Sequence, residues 1–145
     1  MGALTAKLTL TGTAADYGSA LNLSNSKSLT VEKPWIGISK ETVTTTGESH
    51  IIIPNIDARR FVYIKHTGVD STGSAVTSDL QVENYTNNTS GVQQVMVLKA
   101  GEFAFFPFDN GVADPTGSDH DNKLQLQASA GDIIADYSYY TVSST

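Results

Sequence analysis

Four aspartates crowd one polar stretch, Asp109, Asp114, Asp119 and Asp121, with Asn110 and Asn122 beside them. Carboxylate and amide oxygens are the hard donors that Ca²⁺ takes. Asp119-x-Asp121-Asn122 resembles a fragment of a Ca²⁺ loop, but the downstream Gly and Glu of the helix-loop-helix form are missing. Asp114, Asp119 and Asp121 are therefore the candidate metal ligands. A solvated turn explains the same residues more simply, and the reading expects no metal and no cofactor.

The three histidines are His50, His66 and His120, and none forms a His-x-x-x-His or His-Glu-x-x-His unit. His66 closes a strongly apolar run, where structural hydrogen bonding is expected rather than catalysis. His120 sits between two aspartates, whose charges favour its protonated form. The absence of cysteine excludes thiol catalysis, zinc-thiolate sites and disulfides. A Ser-His-Asp triad is assembled in space and leaves no spacing to read. The chain has no Gly-x-Ser-x-Gly elbow, no Gly-rich phosphate loop and no supported carboxylate pair for glycoside cleavage. The expectation is a protein that is not an enzyme.

The aromatic candidates are Trp35, Tyr137, Tyr139 and Tyr140. Trp35 is flanked by isoleucine at 36 and 38, which favours a core position over a ligand-stacking one. Tyr137 and Tyr139 share one face of a strand, and Tyr140 points the other way. The cluster reads as cross-strand packing, as an interface, or as a sugar platform. Arg59-Arg60 is the only basic pair in a chain of net charge −6, which argues against nucleic acid. No segment approaches the roughly 20 apolar residues of a membrane-spanning helix, and the first residues show no signal-peptide pattern. Several Asn-x-Ser/Thr matches, such as Asn22-Leu23-Ser24, are expected by chance in so Asn-, Ser- and Thr-rich a chain.

The elements that would position these residues are strands. Hydrophobic residues make up 39% and charged residues 17% of 145, so the remainder is mainly uncharged and rich in Thr, Ser, Gly and Asn. Thr favours pleated strands and the others favour turns. Leu4, Ala6, Leu8 and Leu10 alternate with polar residues over 1–12, as a first strand or an attachment arm would. Leu21 and Leu23 form a short strand or single turn, Asn22 to Ser28 reads as a turn, and Leu29 with Val31 begins another strand. Ile51–Ile53, Phe61–His66, Leu80–Val82, Leu124–Ala128 and Ile133–Val142 complete the series. Phe61–His66 is apolar on nearly both faces, as an interior strand is. Val95–Leu98 and Phe103–Phe108, joined by Lys99-Ala100-Gly101-Glu102, read as a hairpin at the centre of the sheet. Four of the five phenylalanines lie there and are expected to supply much of the core. About eight to ten strands with little or no helix predict a single all-β domain over 1–145, an antiparallel β-sandwich or jelly roll.

Three segments carry a resemblance: Phe61-Val62-Tyr63-Ile64-Lys65-His66-Thr67-Gly68, then Leu98-Lys99-Ala100-Gly101-Glu102-Phe103, then Asp132-Ile133-Ile134-Ala135-Asp136-Tyr137. In that order they resemble small β-rich virion proteins of tailed bacteriophages, particularly those of marine and cyanobacterial hosts. The resemblance spans roughly 50–142. It implies a location in the virion and assembly with a major capsid protein or other virion proteins, as a capsid decoration (cement) protein or a neck or tail component. It also implies a homo-oligomer, a trimer being favoured. On that reading Leu4, Leu8 and Leu10 belong to an arm, Tyr137, Tyr139 and Tyr140 to an oligomer interface, and Arg59 and Arg60 to pairing with partner acids. The alternative is a carbohydrate-binding sandwich or a tail-associated host-recognition domain that stacks sugars on Trp35 or the terminal tyrosines.

Overall fold

A computed structural model describes residues 2–13, 20–31, 38–46, 50–53, 59–85, 92–108 and 123–142. Ten strands appear among them and no helix: β1 (Gly2–Gly12), β2 (Leu21–Val31), β3 (Ser39–Val43), β4 (Ile51–Ile53), β5 (Arg60–His66), β6 (Leu80–Tyr85), β7 (Val92–Leu98), β8 (Phe103–Phe108), β9 (Lys123–Ala128) and β10 (Ile133–Thr141). Eight of them make two four-stranded antiparallel sheets, ordered β3-β10-β5-β8 and β4-β9-β6-β7. β3 pairs with β10, β4 with β9, β5 with β8 and β6 with β7, so the second half of the chain runs back along the first. Rolling that long ribbon adds the contacts of β10 with β5 and of β9 with β6. This is the jelly-roll order.

Strand alternation sorts the side chains. Val62 and Ile64, Leu80 and Val82, Leu124 and Leu126, and Ile133 and Ala135 all face inward and are fully buried between the sheets. The core is thus mainly aliphatic. Here the structure corrects the expected central hairpin. β7 and β8 do not pair; each is the edge strand of a different sheet. Leu98 lies opposite Leu80, and Phe103 lies opposite Lys65. The linking residues do form a turn: Glu102 N–H donates to the Lys99 carbonyl at 2.9 Å, and Gly101 holds φ +83°, as residue i+2 of a type II turn requires. That turn carries the chain across the sandwich. It is tied to the end of β5 by Gly101 N–H to the His66 carbonyl and His66 N–H to the Glu102 carbonyl.

The period of two also divides the phenylalanines. Ala104, Phe106 and Phe108 face the core, whereas Phe103 and Phe105 face outward beside Tyr63 and Phe61. Phe103 is 64% exposed, so the Phe block supplies less core than its mass promised.

The second correction concerns Asn22 to Ser28. These residues are not a turn but the middle of β2, which pairs with β1 in one unbroken antiparallel register from Gly2↔Val31 to Gly12↔Leu21. The two strands form a ribbon that belongs to neither four-stranded sheet. Among the described residues its base is the part tied down, where Leu29 and Val31 are buried and Val31 bridges to Val142. A two-stranded ribbon is marginal alone, and this base supplies the packing it needs.

The loop from 67 to 79 is held by acids. Asp70 Oδ1 accepts from the Thr72 hydroxyl at 2.7 Å, the Thr72 N–H at 2.8 Å and the Ser74 N–H at 2.9 Å. Asp132 accepts from the Ser71 N–H and joins the loop to the β9–β10 turn. The Thr72 hydroxyl first, and then the Ser74 amide, hold the Asp70 carboxyl below the usual carboxylate range; Ser71 does the same for Asp132. A carboxyl depressed in the folded state stabilises it above the ordinary value, and the contribution disappears as pH falls through the folded value. Hydrogen-exchange protection at Ser71, Thr72 and Ser74 is therefore expected to drop below about pH 4 while that of β5 and β9 persists.

Candidate interaction surface

The outer face of the β3-β10-β5-β8 sheet is aromatic where a solvated sheet would be polar. Phe61 stacks on Phe105 with ring centroids 5.5 Å apart, and Tyr63 meets Phe103 at 6.3 Å. Tyr140 stands on the same face, opposite Phe61 in the ladder. The far end of that face is charged, with Lys40 and Asp136 paired at 2.7 Å.

The ribbon rises beside this aromatic face. Its register places Leu4, Ala6, Leu8 and Leu10 of β1 on one side together with Leu29, Leu23 and Leu21 of β2. Leu4 and Ala6 are half-buried near the base, while Leu8 is 52% exposed and Leu10, Leu21 and Leu23 are exposed around the tip. Between ribbon and sheet lies an open groove of about 840 Å³, its apolar lining given by Leu4, Leu8, Ile38, Tyr63, Phe103 and Tyr140, with Lys7, Asn25 and Lys27 as polar members. Leu8 belongs to both the groove and the tip, so one apolar surface runs from Phe103 to Leu23.

Of the expected site residues, Leu4, Leu8, Leu10 and Tyr140 lie on this surface. Tyr137 and Tyr139 do not; they face inward and pack against the core. Arg59 is exposed and Arg60 is buried, 2% accessible, with Nε and Nη1 lacking hydrogen-bond partners. The Arg60 guanidinium lies 5.5 Å from the Tyr139 ring centroid. Burial lowers its pKa, and Tyr139 acts in the opposite direction. Trp35, and Asp114, Asp119 and Asp121 with the rest of 109–122, including His120, lie outside the described residues. Among the described residues no three His, Asp or Glu side chains gather as metal ligands would.

The remaining histidines are internal struts. His66 is fully buried; its Nε2 is 2.9 Å from the Ser78 carbonyl, and its Nδ1 accepts from Gly68 N–H at 2.9 Å. That pattern requires the Nε2–H tautomer. His50 meets Glu41 through Nδ1 at 3.2 Å and accepts from Thr44 N–H through Nε2 at 3.0 Å.

Residues overlooked in the sequence are Phe103, Phe105, Tyr63, Leu21 and Leu23. A signal for the last two existed: Leu21, Leu23, Leu29 and Val31 share one parity, interrupted by Asn25 and Lys27. Comparison of the chain with protein-family models, curated proteins and solved structures yields no match. The fold and this surface define an all-β jelly roll carrying a projecting two-stranded arm.

Proposed function

We propose that this chain is a non-enzymatic structural protein of a phage virion, a capsid decoration protein that attaches by its β1–β2 ribbon. The observation that carries the proposal is the ribbon itself. Eleven-residue strands pair outside the sandwich and turn leucines to solvent at the tip. Jelly rolls serve in viral shells and in lectins alike, so the fold does not choose between them. An apolar arm does favour assembly, because large exposed apolar patches mark interaction sites. As a paired ribbon, the arm offers side chains as well as a strand edge. Many copies on one shell make moderate attachment sufficient, since each added contact multiplies retention.

A Leu10→Asp/Leu23→Asp double variant tests this reading. Wild type is expected to co-sediment with tailed-phage capsids lacking this polypeptide. The variant, with an unchanged circular dichroism spectrum, is expected to lose at least tenfold in binding. Equal binding by both proteins contradicts an attachment role for the tip.

The exposed ring of Phe103 beside the half-buried ring of Tyr63 supports a second reading, a carbohydrate-binding module. Glycan binding that disappears in Phe103→Ala would establish it.

A further inference from the structure

We infer that the groove between the ribbon and the aromatic sheet binds a small anionic amphiphile, an alkyl chain that ends in a carboxylate. This goes beyond the assembly reading and does not rest on it.

The groove is apolar on both sides. Leu4, Ala6 and Leu8 line its ribbon side, and Tyr63, Phe103 and Tyr140 line its sheet side. A chain of methylenes laid between them removes both walls from water. The volume of about 840 Å³ falls within the roughly 300–1,000 Å³ of small-molecule sites. Leu4 to Leu8 spans four residues of strand, about 14 Å, which accommodates an extended alkyl chain of about ten carbons.

These walls suit an alkyl chain better than a peptide or a sugar. A peptide strand would set N–H and C=O groups against leucine and phenylalanine, which offer them no partners. A sugar stacked on the rings would turn the hydroxyls of its other face to the leucines, at the same cost.

Charge selects the end group. The described lining residues include Lys7 and Lys27 and no acid, in a chain whose 15 acids outnumber its 9 bases. Cross-strand partners share a face, so Lys27, opposite Ala6, and Asn25, opposite Leu8, stand on the groove side of the ribbon. No ion pair among the described residues engages either lysine. An ammonium and an amide N–H₂ beside an apolar channel are donors for a carboxylate. The arrangement is that of a small-molecule site, an apolar lining with a few polar groups that fix orientation.

Isothermal titration calorimetry of the full chain tests this with decanoate, octanoate and decyltrimethylammonium, each below its micelle-forming concentration. Wild type is expected to take one decanoate per chain. It should bind decanoate at least tenfold more tightly than decyltrimethylammonium, although the protein as a whole is anionic and would attract the cation. A fully buried methylene contributes about fourfold, so in an open groove the two that separate octanoate from decanoate are expected to give at least fourfold. Lys27→Glu is expected to abolish the preference for decanoate over the cation. Phe103→Asp is expected to weaken decanoate binding at least tenfold. Both positions are exposed, and an unchanged circular dichroism spectrum verifies each variant's fold. Absence of decanoate binding by wild type, equal binding of the cation, or variants that bind as wild type does would each overturn the inference.

Discussion

Leu126→Ala is expected to destabilise the protein by about 2–5 kcal/mol, and Phe103→Ser by about 0.5 kcal/mol or less. Leu126 is fully buried on β9, opposite Val82, at the junction of the two sheets' inner faces. Truncating it removes transfer free energy and leaves a cavity that neighbours held in two ladders cannot collapse to fill. Phe103 is the larger residue, yet it stands 64% exposed on the outer face of an edge strand. Its loss removes a tilted contact with Tyr63 and little else. Urea denaturation of the two variants gives both numbers. A Phe103→Ser variant as damaged as Leu126→Ala would restore the Phe block to the core and reject the edge position of β8.

The second large effect belongs to His66. His66→Ala is expected to cost about 2–4 kcal/mol, from a cavity and from two buried backbone groups left unpaired. Its ring joins three pieces of chain. Nε2–H reaches the Ser78 carbonyl, Nδ1 takes the Gly68 N–H, and the His66 backbone grips the turn through Gly101 and Glu102. An amide side chain can replace one bond but not both. His66→Gln offers an N–H toward Ser78 and His66→Asn an oxygen toward Gly68, so each is expected to recover part of the loss. If all three variants unfold at the wild-type urea midpoint, the imidazole is not a strut.

The contrast between these residues shows what a chain of this kind discloses. The apolar run Phe61–His66 reads as an interior strand, and β5 lies between β10 and β8. Period-two alternation sets Leu124, Leu126 and Ala128 on one buried face, and Tyr137 and Tyr139 opposite Tyr140, because a strand buried on one side must obey it. The same rule, carried through 103–108, separates two outward phenylalanines from two inward ones. Aromatic mass alone conceals that split. Lys99-Ala100-Gly101-Glu102 reads rightly as a turn, but turn chemistry constrains four residues and does not say whether the next strand pairs with the last or crosses to the other sheet. The middle of β2 reads as a turn because a strand exposed on both sides for most of its length has no burial pattern to betray it; Ser24, Asn25, Ser26, Lys27 and Ser28 look like a loop until the register with β1 is known. The partners of His66 are backbone groups, which leave no trace in residue types. The groove joins positions near 8, 38, 63, 103 and 140, and only the rolled topology brings them together.

If the working part of this protein is its surface of ribbon and aromatic sheet, hydrogen exchange on intact particles should show it. Amides of 2–12, 21–31 and 103–106 are expected to exchange at least tenfold more slowly in the particle-bound protein than in dilute free protein, with the sandwich interior unchanged. Slowing confined to other segments, with the ribbon exchanging as freely on the particle as off it, would contradict that assignment.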